Sequence, residues 1–171
     1  MKIKPRSINY FSTNAGLTVD VIPAQYKNID GSQYVVAKRG YVVMRLVGYN
    51  SETEEVDYAK KREFIVSPQN VDSISGIEAH RARETMDEEG EVLFYTDQME
   101  PEVTKVLRIT PTDSGDFNIM FAGLINEEEL VDKMDITIKK GQFIVIQKML
   151  EYALPSFYGW HAIYDPKAVE H

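Results

Sequence analysis

Residues 103–122, VTKVLRITPTDSGDFNIMFA, read as two strands joined by a tight turn. The runs 103–110 (VTKVLRIT) and 116–122 (DFNIMFA) are rich in β-branched and apolar residues and have strand length. Between them stands Pro111-Thr112-Asp113-Ser114-Gly115, whose Asp, Ser and Gly each favour turn conformations. Strands joined by so short a connection run antiparallel.

The same reading extends in both directions. Residues 15–22 (AGLTVDVI) alternate Leu17, Val19 and Val21 against Thr18 and Asp20, the period of a half-buried strand. Residues 33–38 and 41–49 are two further strands, separated by Arg39-Gly40 in a hairpin or sharp bend. Residues 59–67, 91–96 and 133–138 bring the number to eight. Ser67-Pro68 supplies an N-cap and first residue for a short helix reaching roughly Ser75. A stronger helix covers 139–154, where Phe143, Ile146, Leu150, Ala153 and Leu154 form a core-facing stripe. Pro155 ends or kinks it. Four strands, a helix, four strands and a helix predict an α+β domain with antiparallel sheets, spanning 1–171 with a core of about 10–164.

The chain has 171 residues, 43% of them hydrophobic, enough for one cored domain. It has no cysteine, which removes disulfides, thiolate metal sites and a cysteine nucleophile together. No apolar run approaches the ~20 residues of a membrane span, and the start MKIKPRSINY has neither a signal core nor a transit composition. These features predict a soluble protein of a reducing compartment with no membrane partner. The net charge is −8, but unevenly spread. Residues 1–45 hold seven basic and two acidic residues, and the remainder holds twelve basic and 25 acidic. Binding nucleic acid by cation density alone is therefore disfavoured.

No phosphate loop, G-x-S-x-G or H-E-x-x-H motif is present. Glu78, His80 and Glu84 are close in sequence, yet a solvated loop accounts for them. The expectation is no catalytic residue, no metal and no cofactor. A single strand of nucleic acid can be held by stacking on aromatic side chains while a few cations track its phosphates. The candidates for that chemistry are Tyr34, Lys38, Arg45, Tyr58, Lys60, Lys61, Arg62, Lys105 and Arg108. For Arg45 the alternative is an ion pair with an acid on a neighbouring strand.

The tail, KKGQFIVIQKMLEYALPSFYGWHA over 139–162, closely resembles the C-terminal helix of the Whirly proteins, which runs into A-L-P-x-x-x-G-W. Phe143, Val145, Ala153, Leu154, Pro155, Gly159, Trp160 and His161 match in one ungapped register. Val56-Asp57-Tyr58-Ala59-Lys60-Lys61 resembles the family's Y-D-W-x-K-K, with Tyr58 in place of its Trp. Phe64–Pro68 resembles F-x-L-S-P, and 104–117 resembles the R-K-x-L…D-G-S-G-x-F hairpin. Gly16-Leu17-Thr18-Val19 resembles A-A-L-[TS]-V. Where the family has K-G-K-A-A-L, this chain has Ser12-Thr13-Asn14-Ala15-Gly16-Leu17, with neither lysine.

The resemblance implies two four-stranded antiparallel sheets, each followed by a helical element, with a C-terminal helix-kink-helix. It implies a non-enzymatic, largely sequence-independent single-stranded DNA-binding protein that packs through helices as a homotetramer. Strands would lie along sheet faces and edges between protomers, in the service of DNA replication, recombination or repair. A scaffold module without DNA binding and an RNA-binding relative are the alternatives. Phe143, Ile146, Leu150, Leu154 and Trp160 are expected as core or oligomer residues, not DNA contacts. The compartment is organellar for a mature form, and cytoplasmic or nucleoid-associated for a bacterial or phage member.

Overall fold

Strand alternation builds most of the molecule, seen here in a computed structural model describing residues 7–30, 34–77, 91–96, 103–126 and 129–159. The strands are β1 (Ser7–Phe11), β2 (Ala15–Ile22), β3 (Gln25–Asn28), β4 (Tyr34–Lys38), β5 (Tyr41–Asn50) and β6 (Glu55–Val66), then β7 (Glu91–Thr96), β8 (Val103–Pro111), β9 (Phe117–Ile125) and β10 (Glu129–Ile138). Helix α1 (Pro68–Gly76) follows β6, and α2 (Lys140–Phe157) follows β10.

One antiparallel sheet has the order β1-β2-β5-β6, and a second has β10-β9-β8-β7. A separate two-stranded ribbon pairs β3 with β4. The α+β class and the antiparallel pairing are therefore as read. The expectation of two four-stranded sheets and nothing else is corrected by the ribbon. Residues 33–38 were expected in the first sheet, but β4 is exposed along its whole length and pairs outside it. Its place is taken by β1, whose Ile8 and Tyr10 are only half-buried and give a weak alternation. Arg39-Gly40 is accordingly a bend between ribbon and sheet.

The core lies between the sheets and the helices. Leu17, Val19, Val42, Met44, Leu46, Phe64 and Val66 face Leu107, Ile109, Phe117, Ile119, Phe121, Ile136 and Ile138 in one buried cluster. Helix α2 lays Phe143, Ile146, Leu150 and Phe157 into it, all fully buried, with Leu154 half-buried at its margin. Buried Gln147 donates from Nε2 to the carbonyls of Ile74 (2.8 Å) and Ile77 (2.7 Å), satisfying the C-terminal end of α1 from α2. At the other end of α1, Ser67 Oγ accepts from the Asn70 N–H and Pro68 occupies the first turn, as read. The start of α2 is held from the β8–β9 turn. Asp116 accepts from Lys139 Nζ at 2.8 Å and from the Lys140 N–H at 3.3 Å. The Lys139 hydrogen bond and salt bridge hold the Asp116 carboxyl below its ordinary pKa.

Pro155 was expected to end or kink the helix, and the ending is corrected. α2 passes through Pro155 and ends two residues later, at Phe157. A proline in the last turn forfeits only one terminal hydrogen bond, so the helix can close over it. The second helical piece, Trp160, Glu78, His80 and Glu84 lie outside the described residues.

Candidate nucleic-acid interface

Register shifts on two edge strands shape a surface on which several cations gather. Along β5–β6, Val47 pairs with Lys61 but Gly48 pairs with Asp57, so Tyr58-Ala59-Lys60 bulge out of the ladder. A Cβ on Gly48 would lie 3.1 Å from Asp57 Cβ and 3.2 Å from Lys60 Cβ, which is why the bulge closes over a glycine. Tyr58 is left 72% exposed. On β10 a second shift falls between Val131 and Met134, with Asp132 in the left-handed region (φ 52°), a conformation that Asp tolerates better than most residues. The two bulges face each other, and Arg62 Nη2 lies 3.6 Å from Asp132 Oδ2.

On either side of that pair is a cleft. One, of about 290 Å³, is floored by Phe64, Phe121 and Gly123 and rimmed by Lys61, Arg62 and Lys105. The other, of about 220 Å³, is lined by Ala59, Lys60, Arg62, Lys133 and Met134. Five cations thus converge on two adjoining clefts, the first with an apolar floor, together with the carboxylates of Glu63 and Asp132; exposed Tyr58 neighbours Ala59 of the second in the chain. Each of three is held near an acid: Lys60 by Asp57 at 3.7 Å, Lys61 by Glu63 at 2.9 Å and Arg62 by Asp132.

The other candidates lie elsewhere. Arg45 is opposite Thr18 and Glu63 on the outer face of the first sheet. Its Nη1 donates to Asp20 at 2.8 Å and its Nε to Glu63 at 2.6 Å, the cross-strand ion-paired alternative. The Glu63 hydrogen bond, followed by that to Asp20, raises the Arg45 pKa. The reciprocal bond from Arg45 lowers that of Glu63 against the opposing effect of burial. Lys105 and Arg108 stand three apart on β8 and so face opposite sides of their sheet, and only Lys105 reaches the cleft. Arg108 Nε is buried and has no hydrogen-bond partner among the described residues. Tyr34 and Lys38 belong to the ribbon.

The sequence reading missed two features. Lys133 enters the cleft because of the β10 shift, which depends on the partner strand and leaves no mark in the sequence. On the first sheet's outer face, Phe11 lies over Gly16 with its ring centroid 4.8 Å from that of Tyr49 and remains 55% exposed. This aromatic pair is assembled by the β1–β2 and β2–β5 pairings, so only the sheet order reveals it.

Two antiparallel sheets braced by a C-terminal helix are the fold of the Whirly structures. WHY3 from Arabidopsis thaliana superposes with a TM-score of 0.80 at 16% identity, covering 96% of this chain and 95% of that one. The plant transcriptional regulator PBF-2 gives 0.80 at 18% identity, covering 100% and 92%. The family model described as Whirly transcription factor matches residues 10–149, and the chain belongs to the Whirly family, whose members are DNA-binding factors and not enzymes. Among its relatives is the single-stranded DNA-binding protein WHY1, chloroplastic, of Zea mays, 28% identical over 158 residues. Another is the protein of that name from Arabidopsis thaliana, 23% identical over 153 residues. These alignments cover 90% and 89% of this chain and 56% of each relative, so the chain spans about half the length of the curated relatives it matches.

Proposed function

We propose that this protein binds single-stranded DNA with little sequence preference, in the two clefts between the edges of β6 and β10. The observation that carries the reading is charge placement. In a chain of net charge −8, Lys60, Lys61, Arg62, Lys105 and Lys133 line two adjoining clefts, and the same β6 bulge leaves Tyr58 exposed. Cations spaced along a groove match phosphates, and an exposed ring offers a base a stacking surface that does not distinguish sequences. The clefts are open grooves, suited to a strand passing through and not to a small molecule enclosed on all sides.

The WHY1 relatives are chloroplastic single-stranded DNA-binding proteins, which supports the same ligand and an organellar setting. Roles in replication, recombination or repair accord with a sequence-tolerant binder of single strands. Helix α2 favours assembly as a homotetramer: with its core face buried, Ile144 (37% exposed) and Val145 (49%) still present apolar surface outward. Light scattering at micromolar concentration tests that assembly, and a stable monomer refutes it.

The test of function is a polarisation titration of labelled oligo-dT, oligo-rU and a duplex at two salt concentrations. Oligo-dT should bind most tightly and the duplex least. Preference for oligo-rU would make the protein an RNA binder, and failure of all three would favour a scaffold role.

A further inference from the structure

We propose that the β3–β4 ribbon is a second contact for the same single strand, separate from the clefts, which lengthens the binding site. The proposal rests on the single-strand reading above. Pairing sets the chemistry of the ribbon's two faces. Tyr26 pairs with Val36 and Asn28 with Tyr34, so these four share one face. Lys27 pairs with Val35, and Gln25 pairs with Lys38 beyond a register shift that leaves Ala37 unopposed. The extra residue turns Lys38 onto the face of Lys27 and Val35, as a bulge re-aims the side chains that follow it. Without the shift, Lys38 would share the face of Val36.

The first face is partly used by the fold. A Cβ on Gly159 would lie 2.6 Å from Val36 and 3.2 Å from Tyr26, so the ribbon is seated on the end of α2. Burial there raises the pKa of Tyr26. The second face is open. Val35, opposite Lys27, is 44% exposed, and neither Lys27 nor Lys38 forms an ion pair among the described residues. Nearby Arg39 is engaged over the ring of Tyr158, 5.2 Å from its centroid.

Two lysines about 7–8 Å apart on a diagonal suit successive phosphates of an extended strand. Exposed Val35 beside them suits a base or sugar. An isolated two-stranded ribbon is marginally stable in water, so this one gains from being covered. Its positive face in an acidic protein points to a polyanion as the cover. A second contact on the same strand raises affinity through effective concentration, and only when the strand is long enough to reach both.

The experiment compares the full chain with the double variant Lys27→Gln/Lys38→Gln, titrated with an oligo-dT length series at 50 and 200 mM salt. On the shortest oligomers that bind, the two proteins should behave alike. Past a threshold length the variant should bind more weakly. Over that salt range the parent should lose roughly sevenfold more affinity than the variant, the signature of two phosphate contacts at about 0.7 in salt slope each. Lys27→Arg/Lys38→Arg should restore parental binding. Equal binding at every length, or equal weakening at every length, overturns the proposal. A change in molar mass by light scattering in the Gln variant also overturns it, because the ribbon would then contact another copy of the chain. If the parent binds no oligo-dT, the single-strand reading itself fails and takes the ribbon with it. If the parent binds and the ribbon variant matches it, only the ribbon proposal falls.

Discussion

Replacing Lys60, Lys61 and Arg62 together by Gln tests the clefts most directly. The structure sets the magnitude. Five cations line the two clefts, so a bound strand has up to five phosphate contacts there. At about 0.7 per phosphate for a single strand, the logarithm of affinity should fall with the logarithm of salt at a slope of about 3.5. Between 50 and 200 mM salt that is a loss of about two orders of magnitude. The triple variant keeps Lys105 and Lys133, its slope should fall to about 1.4, and its loss over the same range should be only about sevenfold. The fold should survive. All three side chains are exposed, and their acidic partners Asp57, Glu63 and Asp132 are exposed as well. Surface pairs of this kind contribute about 0–1 kcal/mol each. The assay is polarisation with labelled oligo-dT too short to reach the β3–β4 ribbon, with thermal unfolding as the control on folding. A variant that unfolds like the parent and keeps the parental salt slope would refute the assignment of the strand to these clefts. So would a loss confined to one oligonucleotide sequence, because phosphate contacts carry no sequence information.

Four further predictions follow from single positions. Asp132→Asn keeps a residue tolerant of the left-handed backbone while removing the carboxylate beside Arg62, and should tighten oligo-dT binding by up to about fivefold, the scale of a surface ion pair. Gly40→Ala would place a Cβ 2.6 Å from both the Ile22 carbonyl oxygen and Phe157 Cδ1, so denaturant unfolding should show a loss of about 1–3 kcal/mol. Gln147→Leu removes the donor to the Ile77 carbonyl, while the Ile74 carbonyl keeps the Ile77 N–H, and should cost about 1–3 kcal/mol. Because the Glu63 pKa is lowered by its Arg45 hydrogen bond, the unfolded chain takes up that proton first. The pair's contribution is present above the ordinary carboxylate range near pH 4 and is lost as pH falls through the lowered value. Thermal midpoints of Glu63→Gln should therefore drop less steeply with acidification than those of the parent.

Elements that announce themselves locally were legible in the sequence. The β8–β9 hairpin was, because Pro111 pairs with Phe117 across the turn the sequence spells out, with Gly115 at φ 80°. Helix α2 was, because its stripe of Phe143, Ile146 and Leu150 has helical spacing and is buried accordingly. Strands β1 and β3 were not. Ser7–Phe11 alternates only between half-buried and exposed, and in Gln25–Asn28 only Tyr26 is sheltered. Both owe their strand character to the partner they pair with, which no local window contains. The Tyr58–Lys60 bulge was illegible for a related reason: it exists only because β5 turns from Val47 to Gly48 at a point where β6 has three residues to spare.

The site residues divide along the same line, and the division shows how an acidic chain can present cations to a polyanion. Sequence reading collected basic residues by their neighbourhood in the chain. The sheets sort them by the acids they meet. Arg45, 29% exposed, is bonded by two carboxylates, one of them only 17% exposed. Withdrawing such a cation would leave the partly buried Asp20 uncompensated, which is costly, while Glu63 would keep only Lys61. Lys60, Lys61 and Arg62 each meet a single acid at an exposed rim, so a phosphate can displace the carboxylate at little cost. Until then the acid holds the long side chain over the cleft and limits the entropy lost on binding. On this reading the negative total charge and the binding of a strand do not conflict. Net charge sets the weak long-range field, while the number and exposure of each cation's acidic partners decide which cations can be exchanged.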